Sequence, residues 1–117
     1  MGVLRAIAIF PNIPPENLKA FQEIANHMLE SIGRVDSILR YDIYFDASGT
    51  RCIVLEEYRS AAGVIEHVNL HAPLLEELTK LGGKIEGSMF PLDESDADLE
   101  LIRSTWDSQF HSHFGGK

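Results

Sequence analysis

The side chains able to do chemistry crowd into the middle of the chain. Arg40, Asp42 and Tyr44 alternate along one segment and Glu56 and Tyr58 along the next, followed by His67 and His71. Two histidines four apart share a helix face and could hold a metal, with His111 and His113 as distant additions. No third ligand is fixed by spacing, and His71 falls just before Pro73, past the expected helix end, so no metal is expected. His67 reads either as a cation suited to a helix C-terminus or as a base at the mouth of a cavity. His27, on the flank of the first helix, reads as solvated. Arg40, Asp42, Tyr44, Glu56 and Tyr58 either line a ligand cavity or make cross-strand ion pairs in a solid interface, where an exposed Arg–Glu pair is worth under about 1 kcal/mol. Cys52 reads as inert packing, because nothing near it would stabilise a thiolate. No GxSxG, CxxC, Walker-type or GxGxxG motif is present, and Gly82-Gly83-Lys84 follows a helix where a phosphate loop must precede one.

These groups need a frame to position them. Residues 3–10 form a compact, branched apolar run that predicts a buried strand. Pro14-Pro15-Glu16 opens a helix whose apolar stripe is Leu18, Phe21, Ile24, Ala25, Met28, Leu29 and Ile32, with Gly33 at the expected left-handed cap. Residues 37–46 and 51–59 predict a hairpin, with Gly49 at a positive-φ turn position. A three-residue loop sets Asp46 opposite Thr50 and Arg40 opposite Glu56. Leu39, Tyr41, Ile43, Phe45, Ile53 and Leu55 then share an apolar face, and Arg40, Asp42, Tyr44, Cys52, Val54, Glu56 and Tyr58 share a mixed one. A loop one residue longer pairs Arg40 with Glu57 and mixes the faces, so the segregating register is preferred. Ser60 caps a short helix to His67 or Val68, and Pro73 starts another that ends at Gly82-Gly83. Residues 84–92 read as a last strand. The order is that of a ferredoxin-like βαββαβ fold, an antiparallel four-stranded sheet with helices on one face.

Residues 1–92 are expected to form this α+β domain and residues 93–117 a C-terminal helical extension. In the extension Ser95 and Asp98 resemble a capping box, and Leu99, Ile102, Trp106 and Phe110 recur at helical steps. Such a stripe must dock on the chain's own core or on a second subunit. With 117 residues, 44% hydrophobic and 24% charged, the chain is an ordinary single globular domain able to bury roughly two-thirds of its unfolded surface. A net charge of −8 argues against nucleic acid, and no apolar run approaches the ~20 residues that span a bilayer. One cysteine and no signal-peptide pattern suit the cytoplasm. The helix-free sheet face is too apolar to stay wet, so a second copy is expected to cover it and enclose the cavity between two sheets.

Residues 54–67, with Glu56, Tyr58, Ser60 and His67 at their observed spacing, resemble the signature of the antibiotic biosynthesis monooxygenase family, and residues 41–46 resemble the strand that precedes it. The resemblance covers about residues 3–92 and implies a dimeric α+β barrel. Some relatives oxygenate polycyclic phenols without a cofactor, using the substrate itself as reductant. It implies His67 or Glu56 as base, Arg40 as anion stabiliser and Tyr44 and Tyr58 as aromatic walls, with Asp42 beside them on a small-molecule substrate. Haem-degrading relatives use an asparagine in the first strand and a tryptophan before the helical histidine; here Asn12 follows the strand and Trp106 lies in the extension. The expected function is a cofactor-independent monooxygenase acting on an aromatic or enolisable small molecule. The alternative is a non-catalytic binding or regulatory barrel of the same architecture.

Overall fold

The computed structural model describes residues 2–117. Its elements are β1 (Leu4–Phe10), a single 3-10 turn (Pro15–Asn17), α1 (Leu18–Ile32), β2 (Ile38–Phe45), β3 (Cys52–Tyr58), α2 (Ala61–Leu70), α3 (Ala72–Gly82), β4 (Glu86–Pro91), α4 (Asp98–Thr105) and β5 (Ser108–Phe110). The strands lie side by side as β2-β3-β1-β4-β5. The first four pair antiparallel in ferredoxin-like order, and β5 adds a parallel fifth strand beside β4.

On α1, Phe21, Ala25, Met28 and Ile32 of the expected stripe are buried, Leu18 and Ile24 are half-buried, and Leu29 lies exposed at its edge. Its end differs from expectation. Gly33 is right-handed, at φ −58°, and the last turn closes instead through the Gly33 N–H on the Leu29 carbonyl at 3.2 Å and the Arg34 N–H on the Ser31 carbonyl at 3.2 Å. Gly49 (φ 74°) and Gly83 (φ 85°) do take the left-handed conformation, in the hairpin loop and after α3.

The hairpin register is the one the sequence reading set aside. Arg40 lies opposite Glu57, Tyr41 opposite Glu56 and Phe45 opposite Cys52. The cause is a four-residue loop: the Asp46 N–H donates to the Arg51 carbonyl at 3.0 Å, and the Asp46 carboxylate accepts from the Ser48 hydroxyl and the Arg51 N–H. An irregularity between Ile38 and Arg40 then throws Leu39 out, 41% exposed, and returns Ile38 to the side of Tyr58. Each strand alternates as expected, but the two are offset by one residue. Tyr41, Ile43 and Phe45 therefore share the helix-covered face with Glu56, Val54 and Cys52. Arg40, Asp42 and Tyr44 share the other face with Glu57, Leu55 and Ile53.

The extension also differs. α4 stops at Thr105, and Trp106 to Phe110 leave the helical path so that Ser108–Phe110 can pair with Gly87–Met89. Ser95 does not cap the helix; its N–H and hydroxyl donate to Asp93. Asp96 serves instead, accepting the Asp98 N–H at 3.0 Å with one carboxylate oxygen and the Ala61 N–H at 3.4 Å with the other. One side chain thus serves the start of both α2 and α4, since the Ser60 hydroxyl makes no cap bond. Leu99 and Ile102 are fully buried on the chain's own core, with Trp106 and Phe110 packed beside them. The core falls into two clusters under the helices, one around Phe10, Phe21, Met28 and Leu78, the other around Leu4, Tyr58, Val64 and Ile102. Among the described residues, no helix is long and apolar enough to cross a membrane.

Candidate functional site

Between the two clusters lies a cavity of about 600 Å³. It exists because the inward side of the central strands is small. Ala6 and Ala8 of β1 face the helices between the larger Leu4 and Phe10, and Gly87 of β4 lies opposite Ala8. Val64, Val68, Leu75 and Leu78 of α2 and α3 form the roof, and Trp106 closes a flank. Lys84 and Asp107, ion-paired at 3.1 Å and largely exposed, stand at the outer end. A space of this size and lining suits a small, mostly apolar molecule.

The cavity lies within one chain, on the helix-covered side of the sheet. The expectation that it forms between two sheets, lined by Arg40, Asp42, Tyr44, Glu56 and Tyr58 together, is corrected by the register. The structure brings Glu56, Tyr58 and His67 to the cavity. Arg40, Asp42 and Tyr44 point the opposite way. The Arg40 guanidinium donates to Asp42 at 3.2 Å, and Glu57, the residue opposite Arg40, is engaged by Arg5 at 2.9 Å. Tyr44 is 54% exposed.

Among the described residues, Glu56 is the one carboxylate on the inward face of the sheet. The row that carries it runs Tyr41, Glu56, Ala6, Met89 from β2 through β3 and β1 to β4. Among the described residues its one hydrogen bond comes from the Tyr58 hydroxyl, which donates to Oε1. Loss of water outweighs that hydrogen bond and pushes the carboxyl up to about 7. Burial first, and the Glu56 charge second, raise the phenols of Tyr41 and Tyr58 well above their ordinary range, so both remain neutral donors. Among the described residues the Tyr41 hydroxyl has no hydrogen-bond partner, and Tyr41 lines the cavity without being sealed from solvent.

His67 is held by close packing of α2 on the sheet. Gly63 makes this possible, because a Cβ there would stand 3.2 Å from the Ser37 carbonyl and 3.3 Å from the Tyr58 side chain. The imidazole is 3% exposed, edge-on to Tyr41 and tilted against Tyr58, with ring centroids 5.2 and 6.0 Å away. Burial, reinforced by His71, lowers its pKa to about 4. It is a neutral ring at ordinary pH, not the helix-end cation that one reading of the sequence allowed.

His71 terminates α2 and is also buried, its Nδ1 2.9 Å from Nδ1 of His67. Among the described residues, no group of three or more His, Cys, Asp or Glu side chains is placed to hold a metal ion. His111 lies elsewhere, stacked on Phe90 with ring centroids 4.7 Å apart. Cys52 is a free, buried thiol raised to about 11 by desolvation, as inert packing requires. Sequence reasoning missed Tyr41, Ser31 and Trp106 as parts of the site. For Tyr41 the signal was present, since the longer hairpin loop puts it directly across from Glu56.

No family model matches the chain, and no curated protein matches it by sequence. Solved structures do. MupZ from Pseudomonas fluorescens superposes with a TM-score of 0.86 at 20% identity, covering 100% of this chain and 94% of its own. A candidate antibiotic biosynthesis monooxygenase from Nitrosomonas europaea gives 0.69 at 18% identity over 78% of this chain and 91% of its own. A further antibiotic biosynthesis monooxygenase gives 0.65 at 19% identity over 77% and 96%. The chain has the ferredoxin-like α+β fold of the antibiotic biosynthesis monooxygenases. At these identities the likeness carries the fold, and MupZ shares it across the extension as well.

Proposed function

We propose that the protein is a cofactor-independent monooxygenase for an aromatic or enolisable small molecule, with Glu56 as its base. The observation that carries this reading is the inward-facing Glu56 carboxyl, pushed up to about 7, on the wall of a mostly apolar cavity of about 600 Å³. A carboxyl with this pKa is half ionised near neutral pH and can both take and return a proton. Glu56 removes a proton from the phenol or activated C–H, and the electron pair stays on the substrate as a phenolate or enolate. The electron-rich carbon then reacts with O2. One oxygen atom enters the substrate and the other leaves as water, so a phenol C–H becomes a quinone C=O and the substrate supplies the electrons. Tyr58 holds Glu56 in place, Tyr41 and His67 offer polar contacts to the ligand, and the aliphatic roof keeps water from the anion.

The accompanying reading is a cytoplasmic homodimer whose copies meet through the outward sheet face. Ile7, Ile9, Ile53 and Leu55 there support it, with Arg40, Asp42 and Tyr44 as interface residues in place of substrate ligands.

Oxygen uptake in metal-free buffer with a panel of polycyclic phenols tests the function. Under 18O2 one labelled oxygen is expected in the product, and at least a hundredfold less turnover in Glu56→Gln. Binding of the phenols without oxygen uptake would favour the non-catalytic barrel.

A further inference from the structure

The contacts of His71 bear on which nitrogen of His67 carries the proton. Nδ1 of His71 lies 3.0 Å from the backbone carbonyl oxygen of His67. A carbonyl can only accept, so a hydrogen bond here requires the ring hydrogen on Nδ1 of His71. The same N–H faces Nδ1 of His67 at 2.9 Å, which is therefore an acceptor without a proton. At its other end, Nε2 of His71 meets the Ser31 hydroxyl of α1 at 2.8 Å. A neutral His67 then has one place for its proton, Nε2. Among the described residues that atom has no partner, yet it is not a sealed orphan, so it opens on the cavity that His67 lines.

We propose that His71, anchored by Ser31, is a positioning residue that locks neutral His67 in its Nε2–H form and so presents a fixed donor to the oxyanion created when Glu56 deprotonates the substrate. This rests on the Glu56 reading and narrows it. The ligand must place an oxygen, phenolic or carbonyl, at His67 while its acidic proton faces Glu56. A pure hydrocarbon or an amine has nothing for that donor to hold. The low basicity of the buried His67 ring agrees, because an imidazole that stays neutral polarises an oxygen without titrating. His67 is thereby assigned to the oxygen and Glu56 to the proton. Ser31 and His71 lie on α1 and at the end of α2, so the contact also ties the two helices together where α1 is about to unwind.

Nitrogen-15 NMR of histidine-labelled protein at pH 7.5 tests this without any turnover. The wild type should show His67 with a pyrrole-like, protonated Nε2 and a pyridine-like Nδ1. Leucine at position 71 (His71→Leu) should mix the two tautomers, whereas His71→Asn, whose amide N–H can stand in for Nδ1–H, should restore the single form. Saturating 2-naphthol, the probe phenol, should move the Nε2-bound proton downfield in the wild type and His71→Asn. Its affinity should fall about tenfold in His71→Leu. A protonated Nδ1 on wild-type His67, an unchanged tautomer in His71→Leu, or an Nε2 proton unmoved by 2-naphthol would each overturn the proposal. Failure of the Glu56 assignment would instead leave these nitrogen signals as expected while Glu56→Gln kept full oxygen uptake.

Discussion

Glu56 and His67 have opposite pH signatures. The folded pKa of Glu56, about 7, lies above its ordinary 4.5, so the folded chain keeps a proton that the unfolded chain has lost. Stability therefore falls as pH rises through that window and stays reduced above it. His67, lowered from 6.5 to about 4, does the reverse, because the unfolded chain gains a proton that the folded chain refuses. Its contribution is lost as pH falls from 6.5 toward 4. Between about 4.5 and 6.5 the two oppose each other. Glu56→Gln removes only the first, so its stability relative to wild type should increase by on the order of 3 kcal/mol between pH 4.5 and 8, read from urea midpoints. A difference that does not vary with pH would place Glu56 in contact with water. In turnover, the acidic limb of kcat/KM should have its midpoint near 7 and belong to Glu56. His67→Ala should lower kcat/KM by about 10²–10³, as for loss of one oxyanion donor, yet leave that limb in place. If the limb vanishes in His67→Ala, the histidine is the base. Three residues of the motif, Glu56, Tyr58 and His67, come together at the cavity. The hydrogen bonds that settle their protonation depend on Ser31, forty residues away from His71 in sequence, and no spacing rule reaches that far.

At the scale of elements, strand and helix identities were legible because period-two and period-3.6 apolar patterns are strong signals. The hairpin register was not. Face segregation is a sound rule for a core made only of oil, and it fails here because the protein puts a carboxylate inside. Placing Glu56 outward satisfies the pattern; placing it inward makes the site. The three hydrogen bonds of the Asp46 loop decide the matter, and no apolar pattern encodes them. The limits of α4 were equally hidden, since Trp106 and Phe110 fit helical steps as well as they fit a turn into β5. The alanines of β1 carry the next prediction. Ala8→Leu should fill the cavity and abolish 2-naphthol binding while the protein still unfolds cooperatively, as circular dichroism and titration can show together. Retained binding would mean the ligand sits elsewhere. Ile102→Ala on α4 should cost about 2–5 kcal/mol in urea unfolding, as a fully buried residue does. A loss below about 1 kcal/mol would mean that α4 is not docked in solution.

The molecule as a whole has two differently built sheet faces. The inward face is roofed by helices and hollow; the outward one offers branched apolar residues edged by Arg5–Glu57 and Arg40–Asp42 ion pairs. Because the hollow belongs to one chain, the proposed association and the proposed catalysis are separable. Light scattering should give twice the chain mass, and Ile53→Glu should reduce it to one chain without loss of 2-naphthol binding. A wild-type particle of single-chain mass would remove the dimer and leave the cavity chemistry untouched. That chemistry requires the sheet to hold one acid away from water. Carbon-13 NMR of the Glu56 carboxyl, assigned by its absence in Glu56→Gln, measures this directly. The expected titration midpoint is near 7. A midpoint near 4.5, the ordinary value of a hydrated carboxylate, would contradict it.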